Sequence, residues 1–175
     1  MRVIAGELRG RTIHSPRGQT VRPTADRVRE AVFSVLREVA GARVLDLYCG
    51  TGALGIEAIS RGAASAELVD TRTSTALRNV RELGLEDRCA VIRSDAMRYL
   101  RHAESQFDLV FCDPPYKLAD RLATELESLI APRLAEGGRL IVESAVRQPL
   151  EIGLPLVVER RYGDTLIRVH RESAR

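Results

Sequence analysis

An acid, two prolines and an aromatic residue follow one another at Asp113, Pro114, Pro115 and Tyr116, directly after an apolar run over residues 109–112. Because neither proline has an N–H to give a sheet ladder, the chain must leave the predicted strand here. The prolines stiffen a segment whose carbonyls accept hydrogen bonds beside a flat ring. Such a group suits a planar ligand with an exocyclic amino group, such as a nucleobase. The alternative is a strand-ending turn with a packed tyrosine.

A glycine-rich segment is the second candidate site. Gly50, Gly52 and Gly55 satisfy G-x-G-x-x-G after a predicted strand, and Asp70 ends the next predicted strand. This pattern is the fingerprint of dinucleotide-binding loops, in which the later acid binds ribose hydroxyls. On the glycines alone, an NAD(P) enzyme therefore stays open.

Asp46 favours a different ligand, because it lies on the strand only four residues before Gly50. A pyrophosphate at a helix N-terminus disfavours a buried anion nearby, whereas an ammonium group is attracted to one. S-adenosylmethionine has ammonium, sulfonium, ribose and adenine groups and no phosphate. The loop would bring its backbone close to this compact ligand at Tyr48, Cys49, Gly50, Thr51 and Gly52.

Aspartates also follow the later strands in order. Asp70 would accept hydrogen bonds from both ribose hydroxyls, because a carboxylate has two oxygens. Asp95, with Ala96 beside it, would accept from the adenine amino group, and Asp113 would border the same cofactor. Taken singly, Asp70 or Asp95 is more often a turn or helix-capping acid. The ordered series at four successive strand ends favours a binding site.

The elements that position these residues alternate along the chain. Hydrophobic patterning predicts strands over residues 43–47, 65–69, 89–93, 107–112 and 139–143, and helices over residues 53–61, 74–83, 96–101 and 119–131. This alternation predicts an α/β fold with a mainly parallel sheet and helices on both faces. Residues 156–161 and 165–171 predict a C-terminal antiparallel hairpin. Gly62, Gly84 and the pair Gly137 and Gly138 are expected to end helices.

The amino-terminal part of the chain is basic. Residues 1–29 carry seven arginines against Glu7 and Asp26. Residues 2–14 predict a small β-hairpin, residues 15–23 a loop, and Thr24 the N-cap of a helix that ends at Gly41. We therefore divide the chain into a basic arm, residues 1–23, and a catalytic domain, residues 24–175. Arginine clusters of this kind indicate nucleic-acid binding, with a solvated surface as the alternative.

The 175 residues, with a formal net charge of +3, are enough for one well-packed core. No window reaches the ~18 apolar residues of a membrane span, and the first residues lack the apolar core of a secretion signal. Three cysteines without metal-like spacing predict buried thiols in a reducing compartment. We expect a cytoplasmic protein, no metal, no membrane contact and a monomeric state.

With these motifs, the chain resembles the class I S-adenosylmethionine-dependent methyltransferases and, more narrowly, the RsmD family. That family methylates the N2 amine of a guanine in bacterial 16S ribosomal RNA. The segments that carry the resemblance are the loop over residues 45–55, the motif Asp113 to Tyr116, residues 22–30 (RPTADRVRE) and residues 6–11 (GELRGR). It implies a Rossmann-like, seven-stranded sheet with a small amino-terminal hairpin extension.

The resemblance also implies roles. The carboxylate of Asp113 and the carbonyl of Pro114 would accept the two amine protons, and Tyr116, with Pro115, would contact the base. S-adenosylhomocysteine would be the product. The RNA, within an assembling or assembled small ribosomal subunit, would be contacted by Arg9, Arg11, Arg22, Thr24, Arg27 and Arg29. Three alternatives stay open, namely a DNA-adenine or protein-glutamine methyltransferase, an NAD(P) oxidoreductase and a non-catalytic RNA-binding protein.

Overall fold

The structure, a computed structural model, describes residues 1–16, 23–115 and 119–172. Its helices are α1 (Pro23–Leu36), α2 (Ala53–Ser60), α3 (Ser74–Leu83), α4 (Ala96–His102) and α5 (Ala119–Ile130). Its strands are β1 (Arg43–Leu47), β2 (Ser65–Asp70), β3 (Cys89–Arg93), β4 (Phe107–Cys112), β5 (Leu134–Ala145), β6 (Leu156–Tyr162) and β7 (Thr165–Arg171). The predicted alternation of strands and helices is confirmed.

The strands form a seven-stranded sheet in the order β3-β2-β1-β4-β5-β7-β6. Strands β1 to β5 run parallel, while β7 pairs antiparallel with both β5 and β6. The predicted mainly parallel sheet and its C-terminal hairpin are confirmed. Because the strand order reverses between β1 and β4, a crevice opens at their carboxyl ends, where open α/β sheets bind ligands.

The sheet separates two apolar cores, as the predicted helices on both faces require. Val44 of β1 packs with residues of α1, α2 and α3, whereas Leu45 and Leu47 pack with residues of α4 and α5. Successive strand residues point to opposite faces, so Asp46 shares the α1–α3 face with Val44. Among the described residues, no helix combines the length and the apolar character that crossing a bilayer would need.

The amino-terminal segment folds as a tight hairpin-like turn with one bridge, between Arg2 and Thr12. It packs on the α1–α3 face, where Val3 and Ile13 are buried in the core. Gly6 has a φ of +85°, and a Cβ added there would overlap the carbonyl oxygen of Ser60. The predicted hairpin is thus present as a turn seated against α2. The division of the chain at residues 23 and 24 stays a prediction.

The structure corrects three predicted boundaries. Helix α1 includes Pro23, so Thr24 is not its N-cap, and the helix ends at Leu36, not at Gly41. Arg37 takes a left-handed φ of 60°, which stops the helix early. Gly137 and Gly138 lie inside β5, where its register with β4 shifts, rather than at a helix end. Gly137 has a φ of 69°, the conformation that such an irregularity requires.

Candidate active site

Parallel pairing brings acidic residues from three strands to one edge of the sheet. Leu47 of β1 pairs with Val69 of β2 and with Cys112 of β4, and Cys112 pairs with Val142 of β5. Each partner of Leu47 is followed by an acid, Asp70 after Val69 and Asp113 after Cys112, and Val142 is followed by Glu143. The carboxyl edge around the switch point is therefore strongly acidic.

The glycine loop connects β1 to α2 through left-handed backbone. Tyr48, Gly50 and Gly52 have φ values of 59°, 54° and 77°. A Cβ at Gly52 would lie 2.9 Å from Cδ1 of Leu68, and one at Gly55 would overlap the same side chain. These two glycines let α2 approach β2 closely, whereas a Cβ at Gly50 would meet nothing within 4 Å. The backbone at Gly50 is therefore open to a ligand.

Asp46 lies under this loop. Its Oδ2 accepts a hydrogen bond of 3.0 Å from the N–H of Gly55, and the residue is only 3% exposed. Burial raises the pKa of its carboxyl to about 7; the negative charges of Asp113 and Asp70 act in the same direction, and the Gly55 hydrogen bond opposes them. A cation bound beside Asp46 would relieve this cost of holding a negative charge away from water.

Asp70 braces the loop from the side. Its Oδ2 accepts from the N–H of Gly50 at 2.9 Å, and its Oδ1 accepts from the N–H of Arg72 at 2.9 Å. The residues that follow Asp70 line a cavity of about 390 Å³ beside α3. Its predicted contact with ribose stays a prediction, and the structure adds a role in shaping the glycine loop.

Asp95 caps α4, because its Oδ1 accepts from the N–H of Arg98 at 3.0 Å. Ala96, the first residue of that helix, is buried. The neighbouring cavity, of about 290 Å³, is lined by Ser94 and Arg98 and is distinct from the one that contains Asp46. The helix-capping interpretation of Asp95 thus holds, and contact with adenine stays a prediction for both residues.

A cavity of about 190 Å³ joins the two candidate sites found in the sequence. Its lining includes the predicted residues Asp46, Tyr48, Cys49, Thr51 and Asp113. Pro114 is buried and Pro115 is exposed, while Tyr116 lies outside the described residues. The structure thus brings the loop acid and the acid of the proline motif to one cavity, and it places Asp70, Asp95 and Ala96 outside its lining.

The side chains in this cavity have strongly perturbed pKa values. Burial raises the pKa of Asp113 to about 6, even though the residue is exposed at the rim. Burial also raises the pKa of the Tyr48 phenol and of the Cys49 thiol. Both groups are therefore neutral near pH 7, and the carboxyls carry the negative charge of the cavity.

Glu143 is a cavity residue that we did not expect from the sequence, because it ends the strand predicted over residues 139–143, where a structural role is the more common one. It lines the same cavity as Asp113, and burial, with the negative charge of Asp113 second, raises its pKa to about 7. Its position at the end of an apolar run could have indicated this role. Glu143 follows Val142, which pairs with Cys112, and Asp113 follows Cys112.

The predicted RNA-binding arginines fall into two groups. Arg9, Arg11 and Arg27 are exposed, and Arg11 donates a hydrogen bond to the carbonyl of Glu82. Arg22 and the side chain of Thr24 lie outside what the structure describes. For the exposed residues, contact with RNA stays a prediction.

The prediction that Arg29 contacts RNA is wrong for this structure, because the residue is only 4% exposed. Its guanidinium donates to the carbonyl of Arg2 and, at 3.1 Å, to the carboxylate of Asp26. Its Nε lies 3.6 Å from a carboxylate oxygen of Glu57. These contacts leave Arg29 holding the amino-terminal turn against α1 and α2, inside the protein.

A second unexpected residue, Asn79 of α3, is fully buried and connects the amino-terminal turn to the glycine loop. Its amide nitrogen donates to the carbonyls of Thr51 and His14, at 2.9 and 3.0 Å, and its oxygen accepts from the N–H of His14. An asparagine within a helix gives no sequence signal for this role.

Known proteins resemble the chain over nearly its whole length. The family described as Conserved hypothetical protein 95 matches residues 1–171. Ribosomal RNA small subunit methyltransferase D of Escherichia coli is 36% identical over 162 residues, which cover 90% of this chain and 79% of that protein.

Solved structures agree with this result. The Escherichia coli protein yhhF superposes with a TM-score of 0.84 at 32% identity and covers 100% of this chain and 99% of its own. N-methyltransferase NodS from Bradyrhizobium japonicum has a TM-score of 0.68 at 16% identity, over 86% of this chain and 97% of its own, and shows the fold alone. The chain belongs to the Conserved hypothetical protein 95 family, the RsmD family of class I methyltransferases.

Proposed function

We propose that this protein transfers a methyl group from S-adenosylmethionine to the N2 amine of a guanine in 16S ribosomal RNA. The observation that carries the proposal is the single cavity shared by Asp46, below the glycine loop, and Asp113, of the proline motif. A methyl donor and an amine acceptor must meet within bonding distance. The printed name of the Escherichia coli relative supports the small-subunit RNA as substrate.

The described residues fit the donor. Asp46, buried and held by one hydrogen bond, offers a negative charge for an ammonium group. The open backbone at Gly50 allows close approach, and Asp70 holds that loop in place. We assign ribose to Asp70 and adenine to Asp95 and Ala96, on the same edge of the sheet. When bound, the donor supplies an electrophilic methyl group on its sulfonium.

The acceptor amine needs help because its lone pair is delocalised into the guanine ring. We assign the two amine protons to the Asp113 carboxylate and the Pro114 carbonyl, which would localise the lone pair and fix its direction. Tyr116 would stack on the base, a contact worth ~1–3 kcal/mol. Because this chemistry acts on one exocyclic amine, the guanine has to be taken out of any base stack.

The RNA partner is assigned to the exposed arginines of the amino-terminal region, Arg9, Arg11 and Arg27, with Arg22 and Thr24. This is a small recognition surface for one guanine in a large RNA. We therefore favour an assembling or assembled small ribosomal subunit as substrate, acted on in the cytoplasm by a monomer. The absence of a metal from the reaction stays a prediction.

The test is methylation of small subunits from a strain that lacks this protein, followed by mass mapping of the modified nucleotide. Wild-type protein should add one methyl group to N2 of one guanine. Asp113→Ala should abolish methylation while S-adenosylmethionine still binds in calorimetry, and Asp164→Asn, in the exposed β6–β7 turn, should act like wild type. The proposal would be rejected if the methyl label entered DNA or protein but not RNA. It would also be rejected if the protein bound NADH and did not bind S-adenosylmethionine.

A further inference from the structure

We propose that Glu143 and Asp113 act as a pair of carboxylates that takes up the proton leaving the acceptor amine. This inference rests on the proposed function, because it concerns the acceptor end of the same cavity. It adds to that function a second acidic residue, from a different strand, beside the reacting nitrogen.

The sheet sets the two residues side by side. Cys112 of β4 pairs with Val142 of β5, and Asp113 and Glu143 are the next residues along these parallel strands. Neighbouring strands lie ~4.8 Å apart, so the two backbones are close. Both side chains line the cavity that also contains Asp46.

Neither carboxylate has a hydrogen-bond donor among the residues that the structure describes. The other acids at this edge are different, because Asp46 accepts from Gly55 and Asp70 accepts from Gly50 and Arg72. Glu143 is half-buried and Asp113 is exposed at the rim, so a ligand in the cavity can reach both side chains. Two adjacent acceptors without a protein donor match a ligand that brings N–H groups, as an exocyclic amine does.

Charged groups of both signs surround the pair. The charged groups near it are Asp46 from β1 and Arg29 from α1, with the amino group of Met1, which donates to the carbonyl of Ile13. Nη2 of Arg29 donates to Asp26 and to the carbonyl of Arg2, while its Nε, without a hydrogen-bond partner among the described residues, lies 3.6 Å from Glu57. Tyr48 and Cys49, from the loop, are neutral because burial raises the pKa of both.

The acid–base properties agree with this geometry. Burial raises the pKa of Asp113 to about 6 and that of Glu143 to about 7, and the charge of Asp113 adds to the effect on Glu143. Two interacting carboxyls titrate as a pair, with apparent pKa values that belong to both. The pair is thus a stronger base than an ordinary surface carboxylate, and it gains a proton readily near neutral pH.

Methyl transfer from the donor to N2 conserves atoms and charge. As N2 bonds to the methyl carbon, the carbon–sulfur bond breaks and its electron pair stays on sulfur, so the positive charge moves to N2. N2 then gives one proton to the pair, which passes from two negative charges to one. Asp113, exposed at the rim, returns that proton to solvent.

The experiment is single-turnover methylation of the same small subunits at saturating donor, from about pH 5.5 to 8.5. The wild-type rate should fall as the pH is lowered, and the fall should follow the protonation of two groups, the carboxylates of the pair. Glu143→Gln should lose one of them, move the remaining limb to lower pH because Asp113 loses a negative neighbour, and reduce the plateau rate about 10-fold. The loss is smaller than the ~10²–10⁴-fold typical of a lone base because Asp113 remains.

Glu67→Gln is the matched control, since Glu67 is a half-buried glutamate of β2 that accepts from the hydroxyl of Tyr99 at 2.6 Å, away from the cavity. It should keep the wild-type pH profile. Calorimetry should give Glu143→Gln a donor Kd within about twofold of wild type.

An unchanged acid limb in Glu143→Gln, with normal methylation by wild type, overturns the pair and leaves the proposed function intact. A large rise in donor Kd without a change in the limb also overturns it, because Glu143 would then contact the donor. No methylation by wild type at any pH removes the proposed function and the pair together.

Discussion

Glu57 of α2 and the cavity pair Asp113 and Glu143 are acids whose hydrogen bonding to the protein differs completely. Glu57 is 0% exposed, and its oxygens accept from the N–H groups of Ile4 and Ala5 and from the guanidinium of Arg61. The cavity pair has no donor among the described residues. The protein supplies hydrogen-bond donors to both oxygens of Glu57, whereas the two cavity carboxylates are left for a ligand to hydrogen-bond.

This difference in hydrogen bonding assigns Glu57 a structural role and the cavity pair a role in ligand binding. A buried carboxylate whose two oxygens both accept hydrogen bonds fixes the position of whatever donates to it, which here includes the amino-terminal turn. A carboxylate with none costs free energy in the unliganded protein and returns it when a ligand supplies the missing donor or charge. Both groups lie on the α1–α3 face of the sheet. Asn79 connects their surroundings, because it donates to the carbonyl of His14 beside the amino-terminal turn and to that of Thr51 beside the cavity.

The largest effect should come from Glu57→Ala. This substitution leaves the N–H groups of Ile4 and Ala5 without their acceptor, and it removes the carboxylate that pairs with the guanidinium groups of Arg61 and Arg29. Breaking a buried pair costs about 3–5 kcal/mol. The free energy of unfolding in urea would show it. Glu57→Gln, which keeps an acceptor oxygen, should lose less.

An exposed pair supplies the control for Glu57. Glu82→Ala removes a surface carboxylate that pairs with Arg78 and His14, and it should change the unfolding free energy much less than Glu57→Ala does. If Glu57→Ala were as mild as Glu82→Ala, the amino-terminal turn would not depend on this carboxylate, and the contrast between the two regions would disappear.

Asp46, with one donor, lies between the two extremes and should show a pH effect. Since burial raises its pKa to about 7, the unfolded chain loses its proton first as the pH rises from about 4 to 7, and the folded state loses stability across that window. Asp46→Asn removes this pH-dependent loss of stability, because asparagine does not ionise. At pH 7.5 it should be more stable than wild type by up to about 4 kcal/mol, a difference that vanishes near pH 4.

Urea unfolding of both proteins at several pH values measures this difference, and Asp164→Asn, with an exposed side chain, should show none. The same Asp46→Asn protein should bind S-adenosylmethionine more weakly in calorimetry, because the ammonium loses its counter-charge. A stability difference that did not vary with pH would mean that Asp46 does not carry the unfavourable charge of the cavity.

Gly6 tests the fit between the turn and α2. Gly6→Ala puts a methyl group against the Ser60 carbonyl at a φ of +85°, whereas Gly10→Ala, at a φ of +82°, meets nothing within 4 Å. Both substitutions carry about 1–2 kcal/mol of left-handed strain. Only Gly6→Ala adds the overlap, so it should be the more destabilising by about 1–2 kcal/mol in thermal or urea unfolding. Equal losses would show that the turn can shift away from α2.

The sequence predicted the sheet well because its strands are short apolar runs that stop at glycines, prolines and acids. It also located the carboxyl edge, since Asp70 ends one such run, Asp113 follows another, and Asp46 lies near the end of a third. Local patterns cannot reveal partners that are distant in sequence. Arg29 looks like a surface arginine until Glu57 lies beside it, and Glu143 looks structural until β5 pairs with β4.

The remaining errors came from backbone choices that propensity does not decide. Arg37 enters the left-handed region and ends α1 before Gly41, and the glycines at 137 and 138 accommodate a shift within β5. In both places, tertiary packing selects a conformation that the local sequence only permits. Arg139, for example, donates to the carbonyls of Leu36 and Glu38 from across the fold.

The smallest effect concerns the outer side of the amino-terminal turn, where Arg9 is exposed while the inner side is fully bonded to α2. Arg9→Ala should leave the unfolding free energy unchanged and weaken binding to the small-subunit RNA. If Arg9 contacts one phosphate, the slope of log affinity against log salt should fall by about 1. Arg101→Ala, on α4 at the opposite face of the sheet, should keep the wild-type slope. A slope that Arg9→Ala leaves unaltered would make this arginine a solvated charge, and the turn would then belong wholly to the architecture.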